Sequence, residues 1–182
     1  MKQEKERSEG EEIIGEFLKE ENVDFIPEKK IENLKEDVTS YRVADFYLPK
    51  YKVYIEFFGK WNSEIHKRGY REKKETYKKN KIPCIYLYPD NLGILKQIFY
   101  IRLKKVLLEN NNKLGLFKLN WEIFQEKYLM STIILLILSY YIPNLIGKVF
   151  VILLLGYNIY EGMKNTFLKR ANYLNRNTPY SS

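Results

Sequence analysis

Two acidic residues, Asp45 and Glu56, stand in segments whose other residues suit a dry interior, YRVADFYL and YKVYIEFF. Carboxylates rarely enter such surroundings without a partner. If the segments fold back on each other at Pro49 and Lys50, the two carboxylates share a face, and their repulsion raises a pKa unless a cation joins them. Two oxygen donors with open positions suit Mg²⁺ or Mn²⁺. The plainer alternative pairs one carboxylate with Arg42, Lys52 or Lys60, or leaves it in solvent at a sheet edge. His66 is the only histidine and Cys84 the only cysteine, so a cysteine-built metal cluster and an intrachain disulfide are both excluded. A reducing compartment is expected for this part of the chain.

Several elements must position that pair. The two segments are rich in aromatic and β-branched residues, and the Pro49–Lys50 loop predicts an antiparallel hairpin. Upstream, SEGEEIIGEFLKEE sets Ile13, Ile14, Phe17 and Leu18 on one stripe, with Ser8 as cap and Glu11 and Glu12 in the first turn. That predicts a helix over Glu9 to Glu21. A loosely apolar stretch from Pro27 to Leu34 is a further strand candidate. After Gly59, the spacing of Tyr70, Lys74, Tyr77, Lys78 and Lys81 predicts a helix from about Lys67 to Asn80. IPCIYLYP reads as a buried strand, and a helix capped by Asp90 or Asn91 continues to about Glu109. The polar tract ENNNK marks a boundary, so residues 1–112 form the expected α/β domain.

Three ordered blocks, SEGEEIIGEFL, YRVADFYLPKYKVYIEFFG and YREKKETYKKNKIPCIYLYPDNL, resemble the PD-(D/E)XK nuclease superfamily, closest to its Vsr-like and helicase-associated branch. The resemblance covers about residues 8–105. It implies a restriction-endonuclease-like core, a mixed central sheet with a β-hairpin flanked by helices. It implies that Asp45 and Glu56 bind Mg²⁺ or Mn²⁺, with the backbone carbonyl of Phe57 as a further ligand. Glu11 matches the acidic position that often completes the site. Read from the residues alone, Glu11 is equally a helix N-terminal charge, and Glu12 is its neighbouring rival.

The family pattern places a lysine two residues after the Glu, where this chain has Phe58. An aromatic ring cannot hold or activate water. Several branches carry the lysine on the following helix instead, and YREKKETYKKN offers Lys74, with Lys73 beside it. Lys60 is the other candidate. The implied activity is hydrolysis of phosphodiester bonds, in DNA first, leaving a 5′-phosphate. Bound metal lowers the pKa of water and stabilises charge on the phosphate. Lys74 then orients the nucleophile or neutralises the phosphate, and His66 is not expected to be the base. Two other readings stand beside this one: an inactive nuclease-fold module holding nucleic acid or a partner at a membrane, and a basic lipid-binding membrane protein.

The net charge is +8 and unevenly placed. Residues 1–37 hold 7 basic and 13 acidic residues, whereas 60–81 hold 9 basic and 3 acidic. The later run favours a polyanionic partner. Lys67, Arg68, Arg71, Lys73 and Lys78, joined by Arg102, Lys104 and Lys105, are expected to contact a nucleic-acid backbone. Tyr41, Tyr47, Tyr51 and Tyr54 either stack on bases or pack across strands. With no P-loop, zinc finger or helix-turn-helix signal, no nucleotide cofactor is expected and sequence specificity has no visible source. A second copy of the chain is a further expected partner.

From Tyr128 to Tyr160 the chain carries one charge, Lys148, and is split at Pro143 and Asn144. The two halves predict an all-α hydrophobic hairpin over 128–162, each half slightly short of the roughly 20 residues a bilayer needs unless its flanks join. Residues 113–127 are then a linker or amphipathic approach, and 163–182 a basic tail. Lys118, Lys127, Lys164, Lys169 and Arg170 flank the pair on one side, so both termini are expected in the cytoplasm. A buried soluble hairpin, an oligomerisation stalk and a re-entrant loop are the alternatives.

Overall fold

In the computed structural model, which describes residues 8–164, the chain divides between Gly115 and Leu116 into two units. The first is mixed α/β, in the order α1 (Glu9–Glu20), β1 (Ile26–Glu32), β2 (Tyr41–Leu48), β3 (Val53–Phe57), α2 (Glu64–Lys79), β4 (Cys84–Leu87) and α3 (Leu95–Glu109). A 3₁₀ turn, Pro89–Ile94, precedes α3. The sheet order is β1-β2-β3-β4, with β1 to β3 antiparallel and β4 parallel to β3. A parallel neighbour needs a crossover, and α2 supplies it.

Alternation along β3 sends adjacent side chains to opposite faces. Phe57 presses on α1 so closely that a Cβ at Gly10 would lie 2.2 Å from its ring. Phe17 of α1 meets Phe99 of α3 edge to face at 5.3 Å, so α1 and α3 cover that side. Glu56 points the other way, to α2, where Tyr77 packs with Ile31, Ala44 and Cys84. The face that α2 lays on the sheet is Tyr70, Lys73, Lys74 and Tyr77, at helical spacing, and only Tyr77 is fully buried. Lysine stems cover apolar surface while their ammonium ends remain available for ionic contacts.

Several boundaries differ from expectation: α3 begins at Leu95, after the 3₁₀ turn, rather than at a cap on Asp90 or Asn91, and the expected linker 113–127 is helical. The loop between β2 and β3 is four residues, not two, because Leu48 pairs with Val53. Tyr51 is the cause: its side chain is 1 % exposed, so the turn widens to fold the ring inward, and Lys52 closes it at a φ of 55°. Asn112 Nδ2 holds the turn by donating to the Tyr51 carbonyl at 2.7 Å. In addition, α2 starts at Glu64 rather than Lys67, with Ser63 in the N-cap position.

The second unit consists of α4 (Lys113–Tyr141, 29 residues) and α5 (Leu145–Met163, 19 residues). Residues 113–127 are the first part of α4. Both helices are long and apolar enough to cross a membrane. At 1.5 Å per residue, α5 alone reaches about 28 Å, against a hydrocarbon core of roughly 30 Å. The helices meet through Asn158, whose Oδ1 accepts from the hydroxyls of Ser131 at 3.2 Å and Thr132 at 3.0 Å. Asn144 caps α5 by accepting from Gly147 N–H. The basic tail lies outside the described residues from 165 onward.

Candidate metal centre

Asp45 sits where two strand ladders are interrupted. β1 pairs Pro27 with Phe46 and Lys29 with Ala44, skipping the pair between them, and Glu28 adopts a φ of 49°. On the other side, the β2–β3 ladder ends at Phe46 with Ile55. The Asp45 carboxylate fills the gap, its Oδ2 accepting from Phe57 N–H at 2.6 Å. Tyr54 and Phe58 donate to the carbonyls of Pro83 and Leu87, each at 2.8 Å. Alternation therefore turns the N–H and C=O of Phe57 towards β2, the side of Asp45. The Phe57 carbonyl thus belongs to the same side as Asp45, while the Glu56 carboxylate turns to α2.

Glu56 is 2 % exposed and fully engaged. Its Oε2 lies 2.6 Å from Lys73 Nζ, and its Oε1 accepts from Tyr77 OH at 2.7 Å. Lys73 also donates to the Val43 carbonyl at 2.9 Å, tying α2 to β2 across the acid. Burial pushes the Glu56 carboxyl up to about 7, Lys73 opposes that rise, and the charge of Asp45 adds to it. The two acids are therefore electrostatic neighbours.

The lysine that meets Glu56 is Lys73, expected as a phosphate contact. Lys74 instead lies with its Nζ 5.6 Å from the centre of the Tyr86 ring, on the β4 side. Phe58 is 1 % exposed and stacks on Tyr70 at 4.4 Å and Trp61 at 5.8 Å, so the position that a lysine occupies in the family pattern is here the middle of an aromatic cluster. Lys60 is exposed. Glu11 caps α1, its carboxylate accepting from Ser8 N–H at 3.3 Å, and Glu12 is exposed. His66 is exposed in the first turn of α2.

Along the basic run, Lys67 pairs with Glu64 at 2.9 Å and Arg68 with Glu72 at 3.1 Å. Arg71 and Lys78 are exposed. Arg42, a candidate partner for the acid pair, is taken by Asp37. Three of the four tyrosines pack, with Tyr51 buried and Tyr47 and Tyr54 4.7 Å apart across the strands, whereas Tyr41 is exposed with Lys30 over its ring. Tyr77 is the site residue that sequence reasoning missed. Its signal is the helical stripe with Lys73, four residues before it.

Asp45, Glu56 and the Phe57 carbonyl supply oxygen donors only, the chemistry a hard divalent cation requires. Among the described residues no three acidic, histidine or cysteine side chains gather as a metal cage. Mg²⁺ keeps several waters and binds through one or two carboxylates, so a fuller cage is not needed. Each Glu56 oxygen accepts one hydrogen bond and retains a further lone pair when ionised. The donor set fits Mg²⁺ or Mn²⁺. In comparisons with known proteins, no family model, no curated protein and no solved structure matches the chain.

Proposed function

We propose that the chain is a membrane-anchored, metal-dependent nuclease that hydrolyses phosphodiester bonds in DNA. The observation that carries this reading is the 2.6 Å contact between Lys73 and Glu56, which gives the acid pair a lysine that the strand itself lacks. Asp45, Glu56 and the Phe57 carbonyl would hold the metal, which when bound supplies a water acidic enough to attack phosphorus and charge to match the phosphate. Lys73 places a cation at the acids' edge, where it orients the attacking water or neutralises the phosphate. Tyr77 fixes the Glu56 carboxylate so that it does not swing away from Asp45. This reading keeps the PD-(D/E)XK resemblance and the restriction-endonuclease-like core as its frame. The α4–α5 pair would be a transmembrane hairpin, and the lysines flanking it put both ends of the chain in the cytoplasm.

The test uses the full chain in neutral detergent with labelled DNA and Mg²⁺. Cleavage that falls about 10²-fold or more in Asp45→Asn, Glu56→Gln and Lys73→Ala is expected. Equal cleavage by the parent and both acid variants would remove the metal-nuclease reading. A second reading, a nucleic-acid-holding module without cleavage, is favoured by the full engagement of Glu56 with Lys73 and Tyr77. DNA binding by an intact chain that never cleaves under Mg²⁺ or Mn²⁺ would select it.

A further inference from the structure

Lys73 and Lys74 are adjacent on α2 but diverge, one to Glu56 on β3 and the other over the Tyr86 ring on β4. Glu56 and Tyr86 are register partners in the parallel ladder. Lys74 therefore stands over the strand next to the one that carries the acid, about 5 Å away backbone to backbone, at the outer edge of the sheet. From the opposite face α3 brings Arg102 to the same edge. Its Nη1 donates to the Tyr86 carbonyl and to Asn91 Oδ1, and its guanidinium lies 5.6 Å from the centre of the Tyr88 ring. Lys78 follows Lys74 by one turn on α2, and Lys105 follows Arg102 by one turn on α3.

Cations from two helices thus meet around Tyr86. Burial, with the charges of Arg102, Lys105 and Lys78, lowers the Lys74 pKa. Gathering like charges costs energy that a bound anion offsets.

We propose that Lys74, Lys78, Arg102 and Lys105 form a phosphate-holding site at the β4 edge, which grips the nucleic-acid backbone beside the bond presented to Asp45, Glu56 and Lys73. The site rests on the nuclease reading for its ligand. Phosphates follow one another about every 3.4 Å along a strand's axis, so a phosphate within a nucleotide or two of the acids reaches the β4 edge. That closeness favours a strand being cut over a lipid headgroup.

The experiment measures fluorescence anisotropy of a labelled DNA strand with the full chain in neutral detergent, without divalent metal, across a salt series. The variant K74Q/K78Q/K105Q spares Arg102, which also braces β4. A control, K19Q/K29Q/K50Q, removes the same charge elsewhere. The cluster variant is expected to bind about 10-fold more weakly or worse, with the log affinity against log salt slope flatter by about 2 to 3, while the control stays near the parent. Parent-like binding by the cluster variant, or equal loss in both variants, overturns the site. So does a cluster dependence seen only for binding of anionic-lipid nanodiscs and not of DNA. Cluster-dependent DNA binding by a chain that does not cleave would keep the site and remove the nuclease. Cleavage with cluster-independent binding would do the reverse.

Discussion

Lys73 and Lys74 differ by one position, yet one residue turns a helix by about 100°, enough to send one ammonium to Glu56 and the other to Tyr86. The expected consequence is a sharp asymmetry. Lys73→Ala should lower the cleavage rate at saturating DNA by about 10²-fold, whereas Lys74→Ala should act chiefly on DNA affinity, and a comparison of kcat with KM separates them. Glu56 makes a prediction of its own, about stability. Its folded pKa of about 7 lies above the ordinary 4.5, so the folded chain holds a proton that the unfolded chain releases. That contribution is complete below about pH 4.5 and is lost as pH rises through about 7. In chelator, the urea midpoint of the parent should fall across this window, and Glu56→Gln should flatten the fall; an unchanged slope would contradict the assigned burial. The acid pair itself was legible in the sequence, because charges inside apolar strand patterns stand out. Which lysine meets Glu56 was not, since adjacent lysines share one compositional signal and only the helix's rotation on the sheet separates them.

Helices and strands followed their periods closely, with α1, β2, β3, β4 and α3 near their expected places. What composition could not reveal is the break at Asp45, where the ladders to β1 and β3 both lapse, because register is a property of three strands together and not of any one of them. The four-residue turn was hidden for a similar reason: nothing local tells that Tyr51 is buried rather than paired. The approach to β2 depends on Asp37, whose carboxylate grips Arg42 at 2.6 and 2.7 Å. Arg42 holds the Asp37 pKa down to about 2 from 3.8. The stability it contributes is present above about 3.8 and lost as pH falls through about 2. Asp37→Asn should cost on the order of 1 kcal/mol at neutral pH and lose its deficit in acid, as read by thermal melts. At α1, Gly10→Ala must displace the Phe57 ring, costing about 1–3 kcal/mol in urea titrations. If the variant is as stable as the parent, the packing of α1 on β3 is not as close as described.

At the scale of the chain, two chemistries are joined end to end. The charge-poor run that begins at Tyr128 announced the second unit plainly, while the helical continuity of α4 back to Lys113 was invisible because ENNNK and the residues after it look like a linker. If α4 and α5 are spans, the full chain should remain in the membrane pellet after alkaline carbonate washing, and its release to the supernatant would reject the anchor. Replacing Asn158 with Leu should weaken the pairing of the two helices by about 0.6 kcal/mol, measurable by denaturation in detergent. The clasp between Asn112 and the Tyr51 carbonyl then acquires a mechanical meaning. Asn112 immediately precedes α4, and Tyr51 lies in the turn whose two strands carry Asp45 and Glu56. A pull on the chain leading into α4 is therefore shared between that amide, on the turn joining the two acid-bearing strands, and the Asn112 N–H, which holds the Leu107 carbonyl of α3.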